Sequence, residues 1–204
     1  MSDPASEPTR ASASPAAEEP AAARGRRRRH DPGRRERIVR ACLDVIAEHG
    51  VAGTSHRRVA AAADVPLGSM TYHFTGMGDL LHAAFAHFAG SVVERFEHRM
   101  AAAPNAEEAK RAVVAIITDD VFDTRRGLVL THELYTLAAR DPAYRDLTNG
   151  WMRSSRAALE RHFDPTTARL IDALIEGLTI HRALDTEPQD RAVVLAAVER
   201  LARP

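Results

Sequence analysis

The chain has 204 residues, 45% of them hydrophobic and 27% charged, which is enough to bury a core and ordinary for a globular protein. No apolar run reaches the roughly 18–20 residues that cross a bilayer, and the first thirty residues lack the apolar stretch of a secretory leader, so a cytoplasmic protein with no membrane partner is expected. The net charge of zero hides a segregation: residues 1–23 carry −3, residues 24–76 carry +6 and residues 77–204 carry −3. A basic block inside a neutral chain is either the footprint of a polyanion partner or a solvated arginine tail.

Residues 1–30 are rich in Ala, Pro, Ser and Glu and hold no large aliphatic after Met1. They cannot bury enough apolar surface to offset the entropy of ordering, and a disordered tail is expected, closed by the run Arg26–Arg29. That run suits phosphates or a minor groove, and equally suits a solubilising tail.

A first helix is expected from Asp31-Pro32, a capping acid followed by a proline that needs no N–H in the first turn. Ile38, Cys42, Val45, Ile46 and His49 recur at three- and four-residue spacings as its apolar stripe, and Gly50 ends it in a left-handed cap. Cys42, the lone cysteine, has no internal partner and reads as a small core residue. Thr54 or Ser55 caps a second helix to about Ala63, with Val59, Ala60 and Ala63 inward. Asp64-Val65-Pro66 is a break, and a third short helix covers Leu67 to His73, with Met70 and Phe74 as core, stopping at Thr75-Gly76. Two short helices across a tight break have helix-turn-helix proportions.

Beyond Gly76 the period lengthens. Leu81, Phe85, Phe88, Val92 and Phe96 mark a helix from Gly78 to Ala102, ended by Pro104-Asn105. The next runs to about Phe122 with Val113, Ile116 and Ile117 on its apolar face. Further helices fit 125–139, 142–162, 165–184 and 188–202, three of them opened by Asp141-Pro142, Asp164-Pro165 and Glu187-Pro188. No segment alternates as a strand does, so the fold class is all-α with about nine helices.

The last two helices are apolar over wide surfaces: Leu170, Ile171, Leu174, Ile175 and Leu178 on one, Val194, Ala197, Val198 and Leu201 on the other. Such a pair can complete a four-helix bundle with a second copy, or simply close the chain's own core. The histidines have no metal-ligand spacing (His82 and His87 are five apart on different faces), and the acids Asp119, Asp120 and Asp123 read as a solvated loop. Neither a metal nor any other cofactor is expected. The chain has no GxSxG elbow, P-loop, Rossmann fingerprint or HExxH, and no nucleophile paired with a base, so catalytic residues are not expected either.

The stretch from Arg35 to Phe85 resembles the N-terminal domain of the tetracycline-repressor (TetR) family. The anchors are Gly50, the run Thr54-Ser55-His56-Arg57-Arg58-Val59-Ala60, Val65, Gly68-Ser69, Tyr72-His73-Phe74 and Leu80-Leu81. The resemblance implies three parts: the tail at 1–30, a helix-turn-helix domain at 31–76, and a helical effector-binding and dimerisation domain at 77–204. It implies a homodimeric repressor released from an inverted-repeat DNA operator by a small-molecule effector. An activator or architectural DNA binder without effector is the second reading, and an all-helical enzyme the third.

By the same resemblance the third helix lies in the major groove, with Leu67, Gly68, Ser69, Thr71, Tyr72 and His73 on DNA. Thr54, Ser55 and Arg57 of the second helix join them at phosphates or a base. Two positions depart from the family pattern. Thr71 stands where an aromatic is usual and Met77 where a lysine is usual, and the Arg26–Arg29 run is expected to replace the missing charge. An effector pocket among the middle helices is expected to draw on Phe88, Phe122, His132, Tyr135, Trp151 and Met152, with His132 and Tyr135 sharing a face one turn apart, and to suit a hydrophobic or aromatic compound.

Overall fold

The computed structural model describes residues 33–120 and 124–203, and the tail, the Arg26–Arg29 run, the Asp31-Pro32 cap and Phe122 lie outside these. The described residues form nine helices and no strand: α1 (Arg34–His49), α2 (His56–Ala62), α3 (Gly68–His73), α4 (Met77–Ala101), α5 (Ala106–Ala115), α6 (Arg125–Ala138), α7 (Pro142–Leu159), α8 (Pro165–Leu184) and α9 (Arg191–Leu201). The last turn of α5 widens into a π-helical stretch, Ile116–Asp120, whose Ile117 carbonyl accepts from Arg182 Nη1 at 3.2 Å.

Local chemistry sets the boundaries. Gly50 takes φ +69° and its N–H bonds Ile46 O at 2.8 Å, closing α1 in the left-handed cap that its sequence position calls for. His49, expected on the apolar stripe, is instead exposed at the last turn beside Glu48, where a basic side chain meets the negative end of the helix dipole. Asp141 and Asp164 cap α7 and α8 through Ala143 N and through Thr166 and Thr167 N. The start expected at Glu187-Pro188 is not used: α9 begins three residues later, because Asp190 caps it through Ala192 N at 2.8 Å. Ending α7 at Leu159 rather than 162 shortens that helix by a turn, and Phe163 N folds back on Leu159 O.

Two hydrophobic clusters organise the packing. The first joins α1, α2 and α3 to the N-terminal half of α4 and to α6, through Ile38, Cys42, Ile46, Met70, Phe85, Leu130 and Leu134, with Tyr144 of α7 at its rim. Cys42 is fully buried there, and burial pushes its thiol up to about 12. The second cluster gathers the C-terminal half of α4 and the end of α7 with α5, its π-helical extension, α8 and α9, through Phe96, Met100, Val113, Ile117, Leu159 and Ile171. The first cluster therefore continues across residues 76 and 77 without a seam, tying the three short helices to the long ones.

Candidate functional site

The α2–α3 face is built by opposing demands on one short helix. Met70 is fully buried and Phe74 nearly so, and the guanidinium of Arg35 lies 5.1 Å from the Phe74 ring centroid. With that side of α3 locked inward, the other side must face solvent. Tyr72 is 84% exposed and Leu67 55% exposed, with Gly68 and Thr71 exposed beside them.

Each expected residue on this face has a definite place. Ser55 caps α2, its Oγ accepting from Arg58 N at 3.3 Å, while Thr54 Oγ1 donates to Gly50 O at 2.8 Å. Both hydroxyls are thus held close to the start of α2. Arg57 is exposed on α2, and Arg58 bonds the Gly53 carbonyl. Gly53 itself is required by close approach, since a Cβ would sit 2.3 Å from His49 O. Thr71 Oγ1 donates to Gly68 O at 3.2 Å, leaving its methyl and lone pairs outward. His73 is half-buried, its ring 4.9 Å from that of Tyr72, and Ser69 is half-buried. Between the helices, Asp64 adopts φ +50°, a conformation short polar side chains tolerate, and Val65 N returns to Ala60 O at 3.0 Å. Arg37 Nε from α1 reaches Ala63 O at 3.3 Å and ties down the end of α2.

A cavity of about 60 Å³, partly open to solvent, lies between the two hydrophobic clusters. Helix α4 contributes Val92 and Phe96, α6 contributes Thr131 and Tyr135, and α7 contributes Trp151, Met152 and Ser155. Helix α8 contributes Asp172, Ile175, Glu176 and Thr179. Of the expected pocket residues, Tyr135, Trp151 and Met152 line it. Phe88 does not: it stands behind Trp151, ring edge to face at 6.2 Å. His132 also turns away, its Nδ1 on Leu128 O at 2.8 Å, because the i, i+4 spacing puts Thr131, not His132, on the face of Tyr135.

The lining residues missed are Val92, Phe96, Thr131, Ser155, Ile175 and the polar ones of α8. Asp172, Glu176 and Thr179 recur at four and three residues on a helix that is apolar on either side of them, and that stripe was the available signal. Burial raises the Asp172 carboxyl to about 6, with Glu176 adding to the rise and Arg156, 3.3 Å away, partly opposing it. Burial and the Glu176 carboxylate, which accepts the Tyr135 hydroxyl, hold Tyr135 well above the ordinary phenol range and so keep it neutral.

One helix touches both the end of α1 and the cavity. Glu133 of α6 accepts from Val51 N at 3.2 Å just past the end of α1, and a Cβ on Gly50 would lie 2.7 Å from the same Oε1. Arg126, also on α6, pairs with Asp44 of α1 at 2.9 Å. Two residues beyond Glu133, Tyr135 faces the cavity.

The nine residues expected at a dimer face divide. Ile171, Ile175, Val194 and Val198 are buried in the chain's own core, where Ile175 also walls the cavity, and they are withdrawn from that face. Leu170 is 47% exposed, and Leu174, Leu178, Ala197 and Leu201 are half-buried. No cluster of His, Cys, Asp or Glu able to hold a metal ion occurs among the described residues.

Residues 38–84 match the family model "Bacterial regulatory proteins, tetR family", and residues 104–204 match "Tetracyclin repressor-like, C-terminal domain". The HTH-type transcriptional regulator BetI of Burkholderia mallei is 29% identical over 171 residues, 79% of this chain and 88% of the relative. A structure from Streptomyces coelicolor A3(2), a member of the TetR family, is 37% identical with a TM-score of 0.69, covering 85% of this chain and all of that one. The multidrug binding protein EbrR in complex with ethidium is 36% identical with a TM-score of 0.71, covering 84% of this chain and 99% of that one.

Proposed function

The chain belongs to the TetR family of bacterial regulatory proteins, DNA-binding regulators that respond to effectors, and from that premise we propose a homodimeric repressor that holds an inverted-repeat operator until a small molecule fills the α4–α6–α7–α8 cavity. The observation that carries this reading is the outward face of α3: Leu67, Gly68, Thr71 and Tyr72 project from a helix whose Met70 and Phe74 are sealed in the core.

On DNA, α3 enters the major groove with Gly68 leading. Nothing lies within 4 Å of a Cβ built there, so the position has no packing need for glycine in the free chain, and close backbone approach to the duplex accounts for it. Thr71 meets a thymine methyl or a base edge, Tyr72 and His73 bond phosphates, and Ser69 with Thr54 and Ser55 completes the backbone contacts. Arg57 reads a base with its planar fork. The Arg26–Arg29 run adds phosphate contacts in place of the aromatic and the lysine that Thr71 and Met77 replace.

The dimer uses the exposed stripe of α8 and α9 (Leu170, Leu174, Leu178, Ala197 and Leu201), so two copies of α3 face one side of the duplex about one helical turn apart. Ligand in the cavity moves α6, and Glu133 and Arg126 carry that movement to the end of α1. The coupling equals the difference in ligand affinity between the operator-bound and free shapes. EbrR, a multidrug binding protein whose structure holds ethidium, supports a small-molecule ligand for this chain.

A gel shift with DNA from beside the chain's own gene tests the reading. A specific, salt-sensitive complex with two chains per inverted repeat is expected, and Arg57→Ala should cost about 1–3 kcal/mol while relaxing discrimination at one base position. Equal binding to unrelated duplexes, or none at low salt, overturns it.

A further inference from the structure

The cavity wall is chemically one-sided. It presents two carboxylates, Asp172 and Glu176, one turn apart on α8, and among the lining residues no lysine, arginine or histidine. Arg156 stands outside the lining and engages Asp172 alone, with Nη1 3.3 Å from Oδ2. Glu176 receives only a neutral phenol hydroxyl, from Tyr135. Arg169 acts on Asp172 from an exposed position, where solvent screens it, so only one guanidinium bonds the two acids and their charge is incompletely balanced inside the cavity.

Beside the acids stand aromatic rings. The Tyr135 and Trp151 rings both line the cavity, 6.2 Å apart and 34° from parallel, and Phe88 packs T-shaped against the indole at 83°. Phe96 and Val92 of α4 close the far side. Aromatic faces carry negative quadrupole density and attract a cation, most strongly over tryptophan and where water is excluded. Hydroxyls of Thr131 and Ser155 add acceptors.

We propose that this cavity takes an organic monocation with an apolar or aromatic body, its charge set against Glu176 and Asp172 and its body on the Tyr135–Trp151 wall. This rests on the cavity being the effector site. An anion would meet two acids without a basic donor in the lining, and a neutral hydrocarbon would bury those acids and return nothing to them. A cation supplies the missing charge and keeps the aromatic contacts.

Trp151 is the only tryptophan in the chain, so its fluorescence reports occupancy directly. Three probes of one shape separate the charge classes: phenyltrimethylammonium, neutral tert-butylbenzene and benzenesulfonate, titrated into the full-length protein. The cation should bind at least about tenfold more tightly than its neutral isostere, and the anion not measurably. Glu176→Gln should weaken the cation about tenfold and leave the neutral probe unchanged or tighter. Asp172→Asn should act in the same direction, and thermal melts of both variants would show that each remains folded. If the neutral or anionic probe binds as well as the cation, or Glu176→Gln leaves the cation untouched, the charge assignment is wrong while the cavity stands as the effector site. If no probe of any charge changes Trp151 emission, the cavity reading falls with it.

Discussion

The α2–α3 face and the α4–α6–α7–α8 cavity use the same side-chain types in opposite ways. At the face, buried Met70 and Phe74 force Tyr72 and Leu67 outward, and arginines surround a surface meant for a polyanion. In the cavity, Trp151 and Tyr135 turn inward and carboxylates replace the arginines. The face depends on a core packed without gaps, which gives a six-residue helix one fixed orientation. The cavity depends on a core left incomplete, and its unfilled space is what a ligand can stabilise. The regulator thus needs both kinds of packing, joined through α6.

A matched pair of truncations tests that contrast most strongly. Met70→Ala removes a side chain packed on all sides and should cost about 2–5 kcal/mol in urea unfolding. Met152→Ala trims a half-buried wall of an existing void and should cost less than half as much. Equal costs would mean that the cavity is no looser than the head.

A smaller effect concerns acid. Asp172 titrates near 6 because burial disfavours its charged form more than Arg156 restores it. Arg156, Arg169, Glu176 and Tyr135 are the charged and titratable groups that act on it or stand in the same wall. A bound cation favours the ionised form, so affinity for phenyltrimethylammonium should be full at pH 7–8 and fall severalfold as pH drops through 6 to 5. In the empty protein the sign is opposite. The folded-state value exceeds the unfolded one, so this group's contribution to stability rises as pH falls from above 6 towards the ordinary carboxylate range. Trp151 titrations and thermal melts of wild type and Asp172→Asn across that window measure both. A flat affinity profile would remove Asp172 from the site.

What could be read from the sequence follows the range of the forces involved. Caps and periodicity are local, so Gly50, Ser55, Asp141 and Asp164 mark their helix ends where expected, and Met70 and Phe74 fall in the core. Pro188 misled because a second capping acid, Asp190, lies two residues on and wins. The cavity draws on four helices, and its composition depends on their rotation. A single position of helix phase exchanges His132 for Thr131. Apolarity alone does not separate a chain's own core from a partner face, which is why Ile171, Ile175, Val194 and Val198 went inward while Leu170 stayed out. The acids of α8 look like a solvated stripe until α6 and α7 are packed over them.

The direct test of the account is reciprocal linkage between its two regions. Trp151 fluorescence gives the dissociation constant of phenyltrimethylammonium for the free protein and for the protein saturated with operator DNA. Binding on DNA should be weaker by about 5–150-fold, matched by the same factor in operator affinity when the probe is present. Glu133→Gln, which weakens the contact to Val51 N, should shrink that factor. Identical probe affinities with and without operator would show that the face and the cavity are not two ends of one equilibrium.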